Sequence, residues 1–173
     1  VAPTSDEPMA LQVVRAAGAK LYDETGKSYI DLIGGISVCN VGHCHPKVIA
    51  AIKEQSEKYL HVMVYGEVVQ SPQVQYGQLL AKNLPPTLDN IYFTNSGAEA
   101  VEGAMKLAKR VTNRVEIIAC KNSYHGSTQG ALSLLGDEYW RSAYRPLLPG
   151  IRHIQHGSFE DLAHISTQTA AII

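Results

Sequence analysis

The 173 residues carry 45% hydrophobic and 18% charged side chains at a formal net charge of −1, ordinary globular material for one domain, or for one domain and part of a second. This near-neutral balance, with lysines and arginines scattered, gives no footprint for nucleic acid or an acidic membrane, and no apolar run is long enough to span a bilayer. Cys39, Cys44 and Cys120 are too few and too ill-spaced for a disulfide framework, and no basic-then-apolar leader opens the chain, so a soluble protein of the reducing cytoplasm is expected.

The chain opens as a meander. Residues 11–15, 19–22 and 29–33 are short β-compatible runs separated by Ala17-Gly18 and by Asp23-Glu24-Thr25-Gly26. After Gly34-Gly35 the pattern changes, and Gly42-His43-Cys44-His45-Pro46 stops the chain and predicts a helix over 46–59 with proline in its first turn. A histidine and cysteine cluster of this kind can suggest a metal, but side chains so close in sequence need more distant partners to close around an ion. It is read as a turn and helix start. A second helix is expected from Ser71-Pro72 to the break at Pro85-Pro86.

From there strands and helices alternate. The pattern predicts strands at 91–94, 115–120 and 151–155, helices at 98–111, 127–135 and 159–165, and a further strand from residue 170. Such alternation predicts a mainly parallel α/β sheet. Ala170-Ala171-Ile172-Ile173 reads as the front of a buried strand, and the chain is expected to be cut there.

Two junctions carry candidate chemistry. Ser96-Gly97-Ala98-Glu99 has the spacing of a capping box, with the Ser96 oxygen accepting from the Glu99 N–H and the Glu99 carboxylate reaching back to the Ser96 N–H. Most such sequences are only helix starts. Here a strand, a small loop and a helix follow one another where parallel sheets bind ligands, and Gly97 and Ala98 leave the backbone open to a phosphate. Tyr124-His125-Gly126 follows the strand that ends at Cys120 and should emerge at the same edge of the sheet. Taken alone, Tyr124 reads as a half-buried core aromatic and His125 as a hydrogen-bonded structural histidine. Beside the first junction, they could offer a flat face and a titratable ring to a planar ligand.

Asn95-Ser96-Gly97-Ala98-Glu99-Ala100, then Tyr124-His125-Gly126, with Gly34-Gly35-Ile36 and Gly42-His43-Cys44-His45-Pro46 upstream, resemble the N-terminal part of a class III aminotransferase. The likeness runs in order along nearly the whole chain. It implies the type I pyridoxal-phosphate transferase fold, with residues 1–60 in the small domain and active-site loop and 61–173 in the first part of the cofactor-binding large domain. It implies pyridoxal 5'-phosphate as cofactor, its phosphate on the backbone of Gly97-Ala98 beside Ser96, and Tyr124 stacked on its ring with His125 close by. Gly35 and Ile36 would help line the substrate pocket of a homodimer.

The Schiff-base lysine and the aspartate facing the pyridinium nitrogen are expected beyond Ile173, and no lysine of this chain matches either motif. Ser127 stands where many relatives carry an arginine, and Ile36 where ornithine enzymes tend to have tyrosine. Arg141, Arg145 or Arg152 could replace the missing arginine, or could be solvated surface residues. The resemblance implies transfer of an amino group, often a terminal one, from an amino acid or amine to a 2-oxo acid. The alternatives are a non-catalytic truncated fragment and a decarboxylase or aminomutase of the same family.

Overall fold

The computed structural model describes residues 6–63 and 66–173. The chain divides into two compact units, Val1–Ser71 and Pro72–Ile173, set against the division at residue 60 that the resemblance implies. Residues 1–5 and 64–65 lie outside the described residues.

In the first unit, β1 (Val13–Ala17), β2 (Lys20–Asp23) and β3 (Ser28–Ile30) form an antiparallel sheet in the order β1-β2-β3. The β2–β3 turn is held by one carboxylate: Asp23 Oδ1 accepts from the Thr25 and Lys27 N–H groups and from the Thr25 hydroxyl. The hydroxyls of Thr25 and Tyr29 on that carboxylate hold it below the usual acid range. β3 is shorter than the run 29–33 suggests. Asp31 ends it, because its Oδ1 accepts from the N–H of Ile33 and of Gly34 and its Oδ2 pairs with His43 Nε2 at 2.6 Å. The chain then makes a single left-handed turn, α1 (Gly34–Ser37), in which Gly34, Gly35, Ile36 and Ser37 all have φ between 54° and 63°. Left-handed backbone costs an L-residue about 1–2 kcal/mol, so the composition of this turn does not predict it. Helix α2 (Pro46–Lys58) follows with proline in its first turn, one residue short of the expected range. His43 is tied to Asp31 and bridged through its backbone to Gly18, which gives this histidine a structural partner.

Helix α3 (Ser71–Asn83) precedes residues 91–94, where the expected strand does not form. Apolar, β-branched composition favours extension, but a strand needs a neighbour, and none pairs with this run among the described residues. Its Phe93 instead stacks on Tyr76 at 5.7 Å.

The second unit is organised around β4 (Glu116–Cys120), whose first four residues are buried. It is flanked in parallel by β5 (Ile151–Ile154) and β6 (Thr169–Ile172), in the order β5-β4-β6. This is the expected parallel sheet. Helix α4 (Gly97–Thr112) packs its apolar stripe on it: Met105, Ile117, Ala119 and Leu134 form the buried core, with Val101, Ala108 and Ile151 around them. Short helices α5 (Gln129–Leu134) and α6 (Glu138–Arg141) follow β4. The run expected as a helix at 159–165 is a 3-10 turn over Glu160–His164. The Glu116 carboxylate, nearly buried, is met by Arg152 Nε at 2.8 Å and by the Thr169 hydroxyl at 3.0 Å, the compensation a charge needs at that depth. No helix among the described residues is long and apolar enough to cross a membrane.

Candidate functional site

β4 delivers the chain at Cys120 to the edge of the sheet, where residues 121–128 turn back before α5. Parallel sheets bind ligands at this carboxyl edge. The first residues of α4 meet the loop here. Gly126 sits at φ +129°, and a Cβ on it would stand 2.6 Å from Ala98 Cβ and 2.9 Å from Ala98 Cα, so only glycine lets the loop approach α4 this closely. Between the two lies a cleft of about 700 Å³, within the range of small-molecule sites. Ser96, Gly97, Ala98, Tyr124 and His125 all line it, together with Ser127 and Thr128. Residues 96–98 and 124–125, two short groups far apart in the sequence, are thus brought together. Gly35 and Ile36 belong to the first unit, in its left-handed turn, where Ile36 is largely exposed.

The helix start is built as a cap with one change from expectation. Ser96 is extended and its Oγ accepts from the Glu99 N–H at 3.1 Å. The Glu99 carboxylate reaches back to the N–H of Asn95, not of Ser96, at 2.9 Å. The next N–H groups, those of Gly97 and Ala98, have no acceptor inside the helix. A Cβ built on Gly97 would meet nothing within 4 Å. Among the described residues no carboxylate lines the cleft, and the positive end of the 16-residue helix faces it, with the first-turn carboxylate of Glu99 turned back onto Asn95. Removing the cap should be measurable on its own: Ser96→Ala is expected to cost about 1 kcal/mol in denaturant unfolding, and Ser96→Thr to recover most of it. Equal midpoints for the alanine variant and the wild type would show that the cap carries no weight.

Tyr124 is 74% exposed, so it is not a half-buried core aromatic. Core packing does not claim its ring, and its hydroxyl lies 3.2 Å from Ser127 Oγ. His125 also departs from the structural reading, since its Nε2 is buried with no hydrogen-bond partner among the described residues. Burial holds this imidazole below its ordinary value of 6.5, which favours the neutral ring at neutral pH. The three arginines considered as replacements for the residue at 127 are otherwise engaged. Arg141 and Arg145 pair with Glu138, and Arg152 with Glu116.

Sequence reasoning missed Glu102. Its Oε1 accepts from the Thr128 hydroxyl at 2.7 Å and from the Gly130 N–H at 2.9 Å. Only an i, i+3 echo of Glu99 on the same helix marks it in the sequence.

A family model for class-III aminotransferases matches residues 1–172. The chain is 40% identical over 164 residues to the acetylornithine aminotransferase of Methanopyrus kandleri, covering 93% of this chain and 41% of that protein. The solved ornithine aminotransferase of Toxoplasma gondii superposes with a TM-score of 0.84 at 28% identity, covering 97% of this chain and 41% of that one. The taurine:2-oxoglutarate aminotransferase of Bifidobacterium kashiwanohense, solved in complex with PLP and glutamate, gives 0.80 at 28% identity over 94% of this chain and 42% of that one. The chain therefore spans about two-fifths of the length of these relatives, and within that span its fold is that of the pyridoxal-phosphate transaminases. Matched along nearly its whole length by the family model, the chain belongs to the class-III aminotransferases.

Proposed function

We propose that this chain supplies the phosphate and ring end of the cofactor site of a pyridoxal-phosphate-dependent aminotransferase. The observation that carries the reading is the cleft between the start of α4 and the Tyr124 loop. The residues present suit the group. The free N–H groups of Gly97 and Ala98 and the helix dipole favour a phosphate dianion, with the Ser96 hydroxyl beside it. The exposed ring of Tyr124 provides a flat face for a planar heterocycle. The unpartnered Nε2 of His125 can exchange a hydrogen bond with a polar substituent of that heterocycle. When bound, the cofactor supplies an electron sink that lets an amino group pass from a donor to a 2-oxo acid.

The lysine that would hold the cofactor and the aspartate that would face its ring nitrogen are assigned beyond Ile173. The donor is an amino acid or amine, with a terminal amino group favoured by the acetylornithine and ornithine enzymes among the relatives. The working form is a homodimer, to which Gly35 and Ile36 contribute substrate contacts, and three free cysteines suit a cytoplasmic setting. The relatives named above are aminotransferases, which favours transamination over decarboxylation or amino-group migration. The test uses the natural full-length protein with pyridoxal phosphate and 2-oxoglutarate, offering N-acetylornithine, ornithine, 4-aminobutyrate and taurine in turn. Glutamate should form with at least one donor. A cofactor-loaded protein that forms none, or that releases carbon dioxide instead, would overturn the reading.

A further inference from the structure

Two walls form the cleft; Gly126 packs against Ala98, Met105 of α4 and Leu134 of α5 share the buried core, and few hydrogen bonds join the walls. Among the described residues, every hydrogen bond between α4 and the segment 121–135 runs to one carboxylate. Glu102 Oε1 accepts from Thr128 Oγ1 at 2.7 Å, from the Gly130 N–H at 2.9 Å and from the Ala131 N–H at 3.3 Å. Thr128 lines the cleft, and Gly130 and Ala131 stand in the first turn of α5. A Cβ at Gly130 would fall on the Glu102 carboxylate, so the absence of a side chain there makes room for it. Lys106, four residues on, makes no ion pair with Glu102. The charge is instead carried by three donors from the opposite wall, and hydrogen bonds to an ionised acceptor are the strong ones.

We propose that Glu102 is a positioning residue for the cofactor end of the cleft. Its carboxylate fixes the loop at 124–128 relative to Gly97 and Ala98, and with it the gap into which a flat phosphorylated ring must fit. The inference rests on the function proposed above. It also explains why Glu102 acts without lining the cleft: the residue that touches the cleft is Thr128, and Glu102 works through it.

The test compares Glu102→Ala, Glu102→Gln and Thr128→Val in the natural full-length protein. Pyridoxal phosphate affinity is read by fluorescence titration, and amide hydrogen exchange is read without ligand. Glu102→Ala should bind about tenfold more weakly or worse, from the loss of charge-assisted bonds. Its exchange should rise at 124–131 while α4 stays protected. Glu102→Gln keeps an acceptor oxygen and should stay within about threefold of the wild type, with Thr128→Val between the two. Wild-type affinity in Glu102→Ala overturns the proposal and leaves the functional reading standing. A wild type that does not bind pyridoxal phosphate overturns both. Should the alanine variant fail to fold, Thr128→Val decides: unchanged affinity and unchanged exchange at 124–131 overturn the proposal.

Discussion

Gly126→Ala is expected to damage the second unit severely, lowering stability by about 3 kcal/mol or more. Two costs combine. At φ +129° an L-residue occupies backbone space that is open essentially to glycine alone, at roughly 1–3 kcal/mol. The new methyl also meets Ala98 Cβ at 2.6 Å, Ala98 Cα at 2.9 Å and Ala131 Cβ at 3.2 Å. None of these is the end of a flexible side chain that could swing away, and overpacking of this kind adds roughly 1–3 kcal/mol. Relief requires the loop to retreat from α4, which would widen the cleft and move Tyr124. The measurement is the denaturant midpoint of Gly126→Ala beside that of Gly126→Ala with Ala98→Gly. The double variant removes the Ala98 methyl but leaves both the backbone contact and the unfavourable φ, so it should recover only part of the loss. A single variant that melts with the wild type would show that the loop does not approach α4 as closely as 2.6 Å implies.

Local rules made half of this site legible. The cap at Ser96 is written in four adjacent residues, and its one departure, Asn95 in place of Ser96 as the partner of Glu99, is a shift of a single N–H along the same turn. The run at 115–120 was legible as a strand, and the structure makes it the central one, with its first four residues buried. What local rules cannot supply is the identity of distant partners. Residues 91–94 have strand composition without a strand neighbour, and composition carries no information about the neighbour. Asp31 meets His43 twelve residues away, and Glu102 meets Thr128 twenty-six residues away. Each carboxylate looks like an ordinary surface acid until the fold brings its donors round it. The arginines were open between a substrate partner and a solvated surface position; Arg141 and Arg145 find a near neighbour in Glu138, and only the pairing of Arg152 with Glu116 joins residues far apart in the chain. Tyr124 was the reverse case. A large aromatic beside a buried strand is core by habit, and its exposure follows from the turn after Cys120, which carries its ring out of the core.

Gly97→Val separates binding from folding, which makes it the sharper of the two substitutions. Gly97 is the first residue of α4 and lies outside the left-handed region, and a Cβ there would meet nothing within 4 Å. The folded chain therefore has no steric objection to a Cβ there, loss of glycine's freedom in the unfolded state favours the variant by about 0.4–1 kcal/mol, and valine is no worse a helix former than glycine. Stability should stay within about 1 kcal/mol of the wild type. The cleft sees the change differently. The branched side chain would occupy open space at a residue that lines the cleft, beside the N–H groups of Gly97 and Ala98 assigned to the phosphate. Each hydrogen bond to a charged group contributes roughly 1.5–3 kcal/mol. Displacing the dianion from two such donors should weaken pyridoxal phosphate binding by about a hundredfold or more. Gly97→Ala, with one methyl in place of three carbons, should fall between. The decisive observation is a variant that melts like the wild type but no longer takes up the cofactor. If Gly97→Val keeps both stability and affinity, the phosphate is bound elsewhere and the helix start of α4 is only a capped helix; if it loses both together, the space beside Gly97 is not as open as its surroundings indicate.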